Sequence, residues 1–79
     1  MERTLLSDEE LLRRLNDMLS AHEECTGCRY NEIDAHTPDE IGCNWSPGPL
    51  QCSGEGDLKL CLPITGWILA EAREKYNLK

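Results

Sequence analysis

Five cysteines set in an aperiodic stretch constrain this chain more than any other feature. They stand at Cys25, Cys28, Cys43, Cys52 and Cys61, and residues 23 to 62 carry little helical or strand periodicity. A long irregular segment inside a compact domain is unusual unless something pins it. At 79 residues there is room for one domain with a small core. Ordering such a chain costs about 1.5 kcal/mol per residue, so short domains often add a disulfide or a metal. Aromatic residues make up only 5% and Phe is absent, which strengthens the case for a staple.

Which staple is expected depends on the compartment. The chain opens Met-Glu-Arg-Thr and runs into a capped helix, without an apolar signal region or a stretch of membrane-spanning length. The expectation is a cytoplasmic protein with reduced thiols, where cysteines read as metal ligands or redox groups before they read as disulfides. Disulfides alone would also leave one of five unpaired.

Cys25-Thr26-Gly27-Cys28 has the C-x2-C spacing of a metal knuckle, and Gly27 permits the positive φ of a tight turn. Tetrahedral zinc accepts such cysteines together with His. The expected ligands are Cys25, Cys28, Cys43 and Cys52, with Cys61 and His22 as alternates and Trp45 covering the centre. A plain buried thiol is the competing reading, strongest for Cys61 between Leu60 and Leu62. Glu23 and Glu24 lie near the negative end of the first helix and oppose a four-thiolate centre, which favours His22 in place of one thiolate. An iron-sulfur cluster is the alternative, since four cysteines suffice for one.

The flanks are regular. Ser7 and Glu10 form a capping box, and Leu6 with Leu11 is placed for a hydrophobic staple. Leu11, Leu12, Leu15, Met18, Leu19 and His22 then share a face, predicting a helix over about 8–22. Glu9-Arg13 and Glu10-Arg14 are i,i+4 pairs. Pro63 suits a first helical position, and Ile64, Ile68, Leu69, Ala72 and Tyr76 form a stripe over about 63–77. In the middle, Leu58, Leu60 and Leu62 alternate with Lys59 and Cys61, predicting a strand that pairs with residues 50 to 53 across Gly54-Glu55-Gly56. The fold class expected is a small α+β, irregular, metal-stabilised domain: helix, cysteine-rich loop with a short hairpin, helix.

Function is written less plainly. A formal charge of -7, with no Lys/Arg cluster, disfavours nucleic acid and anionic membranes as partners. No nucleophile with a base, phosphate loop or H-E-x-x-H helix is present, and His36 among acids reads as a solvated turn. Trp67 falls outside the stripe of its helix, beside Glu71 and Glu74. An exposed Trp ringed by charge suits a partner anchor, whereas one packed under the loop would be structural. The expectation is a noncatalytic zinc protein that acts as an interaction module, regulator or inhibitor. Its partner would be another protein, a basic one by charge complementarity, bound through Trp67, Glu71 and Glu74. The alternative is a redox or electron-transfer protein with an iron-sulfur cluster.

Overall fold

A computed structural model describes residues 3–54 and 57–79. The architecture is α+β, with two helices and short paired strands. In chain order the elements are β1 (Thr4–Leu6), α1 (Asp8–Ser20), a 3-10 turn (Glu23–Cys25), β2 (Cys28–Tyr30), β3 (Ile33–Ala35), β4 (Trp45–Pro47), β5 (Leu50–Cys52), α2 (Leu58–Lys75) and β6 (Tyr76–Leu78).

The first helix forms where its caps predict. The Ser7 hydroxyl accepts from the Glu10 amide, and the Glu10 carboxylate accepts from the Ser7 amide at 3.0 Å. Two orphan amide donors are thereby satisfied at the helix start. Leu11, Leu15 and Leu19 are buried at i, i+4, i+8 spacing, while Leu12, Met18 and His22 sit at the edge of the core. Glu10 also pairs with Lys79 at 3.6 Å, and the Arg14 guanidinium lies 5.8 Å from the centre of the Tyr76 ring.

Between the helices the chain folds back as one bent hairpin. β2 pairs antiparallel with β5, and β3 pairs antiparallel with β4. The two pairs join at a kink where the Gly48 amide donates to the Glu32 carbonyl at 2.9 Å. A Cβ on Gly48 would stand 2.9 Å from Glu32 Cγ and 3.2 Å from the Glu32 carbonyl oxygen, so this approach requires glycine. Asn16 fastens β2 to α1, its side-chain amide donating to the Tyr30 carbonyl at 2.9 Å and accepting from the Tyr30 amide at 2.8 Å. β1 and β6 run parallel, with Leu6 opposite Leu78.

Two expectations are corrected here. The strand read at Leu58, Leu60 and Leu62 is the opening of α2, which begins at Leu58 rather than near Pro63 and ends at Lys75. Asp57 caps it by accepting from the Lys59 amide at 3.0 Å. The alternation has no sheet to face: Leu58, Leu60 and Leu62 are all exposed, while Cys61 extends the buried row Ile64, Thr65, Ile68 and Ala72 at helical spacing. Pro63 therefore lies inside the helix, at a cost in backbone bonding. Residues 50 to 52 do form a strand, but their partner is Cys28–Tyr30. Of the turn expected at Gly54-Glu55-Gly56, Gly54 has φ 62°, while Glu55 and Gly56 lie outside the described residues.

Candidate functional site

Two regions of the molecule carry chemistry: the base of the bent hairpin, where most cysteines gather, and the outer face of α2 beside the hairpin tip.

At the base, α1 gives way to the 3-10 turn and then to a tight reversal. Thr26 at φ -58°, ψ 128° followed by Gly27 at φ 82° fits the central positions of a type II turn, with Cys25 and Cys28 at its ends. The positive φ expected of Gly27 is present. Its carbonyl accepts from the Ser53 amide at 2.9 Å, which seats β5 beside the turn. Cys28 and Cys52 are directly opposite in the β2–β5 register and form a disulfide, their Cα atoms 3.9 Å apart. A second disulfide joins Cys25 to Cys61, Cα atoms 4.7 Å apart, and ties the 3-10 turn to the start of α2. Cys25 and Cys61 are completely buried, while Cys52 is half-buried.

Of the expected ligand set, the structure brings Cys25, Cys28 and Cys52 together and adds Cys61. Cys43 is placed elsewhere. The pinning expected of a metal falls to crosslinks, and among the described residues no three His, Cys, Asp or Glu side chains are arranged to hold an ion. His22 is half-buried in the link between α1 and the 3-10 turn. Trp45 does not cover the cysteine base. Its buried indole donates to the Tyr76 carbonyl at 2.9 Å, near the other end of α2.

The hairpin tip, residues 36 to 44, is organised by Asp39. Its carboxylate accepts from the amides of Ile41 at 3.1 Å and Cys43 at 3.0 Å, and pairs with Arg73 of α2 at 2.5 Å. Partial burial alone would raise the Asp39 carboxyl, but the Arg73 guanidinium and the two amides outweigh it and hold it below the usual carboxylate range. Arg73 is shifted up in turn, first by Asp39 and then by the Cys43 thiol. Arg3 adds bonds from β1's side to the Arg73 and Ile41 carbonyls. The Cys43 thiol is free, buried, and donates to the Trp45 carbonyl at 3.3 Å. His36 is an exposed turn residue, its Nε2 3.0 Å from the Ser46 hydroxyl.

Trp67 lies on the outer face of α2 with 70% of its surface exposed. Leu60, Pro63, Trp67 and Ala70, at i, i+3, i+7 and i+10, form an exposed apolar row there, and Glu71 and Glu74 follow it. Glu71 pairs with Lys75 at 2.5 Å, as its spacing predicts. Beyond Ala70 the surface dips into an open groove of about 540 Å³ between α2 and the tip. Asp39, Glu40, Ile41, Ala70, Arg73 and Glu74 line it, and Ile41 is 52% exposed. Sequence reading missed Asp39, Ile41 and Arg73 as members of one surface. Asp39 carries a local signal as a loop-forming residue, but nothing local shows that its loop meets α2.

The groove and the apolar row can accept an apolar side chain and its charged neighbours. They present no nucleophile with an adjacent base among the described residues. No helix of the described residues is long and apolar enough to cross a membrane. No family model matches the chain, and neither a curated protein nor a solved structure matches it.

Proposed function

We propose that this chain is a noncatalytic protein-interaction module, a small regulator or inhibitor, that docks through the outer face of α2 and the groove beside it. The observation that carries the reading is Trp67, a large apolar side chain left 70% exposed on a helix that buries its opposite face. Trp is enriched among residues that dominate binding energy. Ala70 and Ile41 continue the apolar contact, and Glu40, Glu71 and Glu74 ring it with negative charge. The partner with matching chemistry is a basic protein segment that places an apolar side chain beside Lys or Arg. Its association would be steered by charge and weakened by salt.

The test uses an array of basic amphipathic peptides, with acidic peptides of the same apolar pattern as controls, read by titration calorimetry, which serves chains with and without the indole. Trp67→Ala is expected to change stability by no more than about 0.5 kcal/mol, as for exposed positions generally. The same change should weaken peptide binding by about 2 kcal/mol or more, roughly thirtyfold. Marked destabilisation of Trp67→Ala, or equal binding of basic and acidic peptides, would sink the reading.

A further inference from the structure

We propose that the sulfurs at the base of the hairpin form a redox-governed zinc site: Cys25, Cys28, Cys52 and Cys61 bind one zinc ion as thiolates when reduced, and release it on closing into two disulfides. The ligand set differs from the one expected from sequence by exchanging Cys43 for Cys61. It does not rest on the docking surface of α2.

The argument is one of placement. Cys25 and Cys28 end a type II turn, which holds their Cα atoms within about 7 Å. Cys52 faces Cys28 with Cα atoms 3.9 Å apart, and Cys61 faces Cys25 at 4.7 Å. The four cysteines thus form a run of neighbours, Cys61–Cys25–Cys28–Cys52, with the C-x2-C knuckle at its middle. Zinc–sulfur bonds of about 2.3 Å put the sulfurs of a tetrahedral site roughly 3.8 Å apart. A disulfide holds two sulfurs at about 2 Å. Passing from two disulfides to a zinc tetrahedron therefore asks each bonded pair to part by less than ~2 Å and the two pairs to turn toward each other across the Thr26-Gly27 turn.

Cys43 is excluded by the same geometry. It sits at the far end of the hairpin, with its loop anchored to Arg73. Arg73 is twelve residues along α2 from Cys61, or about 18 Å at the rise of a helix. The paired cysteines of the structure carry no thiolate to offer a metal, which is the oxidised half of the proposed cycle.

The exchange balances with a low-molecular-weight disulfide such as oxidised glutathione as the oxidant. Two such molecules accept two electrons each. The four protein thiolates become two disulfides, zinc leaves as the divalent ion, and four small-molecule thiolates form. A reducing, cytoplasmic setting would hold the zinc form. The order of opening also follows from burial: half-buried Cys52 exposes its bond to a reductant, while Cys25–Cys61 is enclosed and opens second.

The test takes the full chain, reduced and freed of metal under argon, and adds cobalt(II) as a coloured substitute for zinc. The proposal expects one ion per chain, with the ligand-field band of a tetrahedral thiolate site. The band should be lost in Cys61→Ser and Cys28→Ser and kept in Cys43→Ser. A wild-type arm avoids dependence on the folding of the variants. The zinc-loaded chain is treated with oxidised glutathione, and mass spectrometry should show zinc loss together with linkages 25–61 and 28–52. Absence of a cobalt band in the reduced wild type would overturn the proposal. So would a band that survives Cys61→Ser or disappears in Cys43→Ser, or zinc retained after both disulfides have formed.

Discussion

The base and the tip of the bent hairpin are fastened to opposite ends of α2 by different means. At the base, two covalent bonds join the 3-10 turn, β2, β5 and the start of α2. At the tip, the fastening is polar: the Asp39–Arg73 ion pair, the Trp45 indole on the Tyr76 carbonyl, and the Asn44 amide, which donates to the Leu78 carbonyl at 3.1 Å and accepts from its amide at 2.9 Å. The base carries four cysteines and the tip one, and only those of the base form crosslinks. The lesson is that cysteine count alone does not locate a staple. Where side-chain amides and carboxylates already satisfy the loop backbone, a thiol such as Cys43 is left as a small buried apolar group.

The contrast implies that the two ends fail under different conditions. Removing both crosslinks, with metal excluded, has the largest expected effect. Loop-closure entropy assigns about 3–4 kcal/mol to each bond at separations of 24 and 36 residues. The sum approaches the whole stability of a small domain, about 5–15 kcal/mol. Chemical denaturation of the reduced, chelated chain should show loss of the cooperative transition. An unchanged midpoint would mean the tip and core suffice. Next comes Trp45→Ala, which empties a fully buried site and removes the bond to Tyr76. About 3–5 kcal/mol is expected in the same assay, and a cost under 1 kcal/mol would show that the tip is not tied to the core through this indole.

Asn44→Ala should be milder, about 1–3 kcal/mol, because it leaves the amide and carbonyl of Leu78 without partners. Amide exchange at β6 and residues 36–44 should accelerate, with the protection of β2 and β5 preserved. The smallest effect is acid loosening of the tip. The Asp39 carboxyl is held below its ordinary value in the folded chain, so its contribution is complete above the unfolded value, about pH 4, and is lost as pH falls through the folded one. Amide exchange at Ile41 and Cys43 should quicken below about pH 4 before that at Cys28 and Cys52. Simultaneous opening at both ends would erase the distinction.

The legible parts of the fold were those with local causes. Ser7, Glu10 and the leucine row specify α1 by capping and spacing, and the structure follows them within two residues of the expected end. Trp67 was legible because a helix has only one buried face and this residue lies off it. The start of α2 departs from its local pattern for a physical reason. Leu58, Leu60 and Leu62 mimic a strand, and what overrides the alternation is the long-range union of Cys61 with Cys25, thirty-six residues away. Loop closure favours a nearer partner for β5 across the turn, whereas its pairing with β2 is fixed by Gly27, Ser53 and the crosslink. The groove needed the tip laid against α2, a contact no window of sequence contains.

The pairing of β1 with β6 has a consequence for how the chain is made. Thr4 lies against Tyr76 and Leu6 against Leu78. During synthesis β1 therefore waits for β6, the last strand of the described residues, before it meets its partner. Until then Leu6 is uncovered and the edge of β1 is open, the kind of exposure through which nascent chains associate. Such distant pairing is slow to form. The helices can dock and the hairpin can bend beforehand, but the closing step belongs to β6. Synthesis halted after Lys75 would yield a chain in which Trp45 and Asn44 lack their partners on Tyr76 and Leu78 and β1 has nowhere to settle.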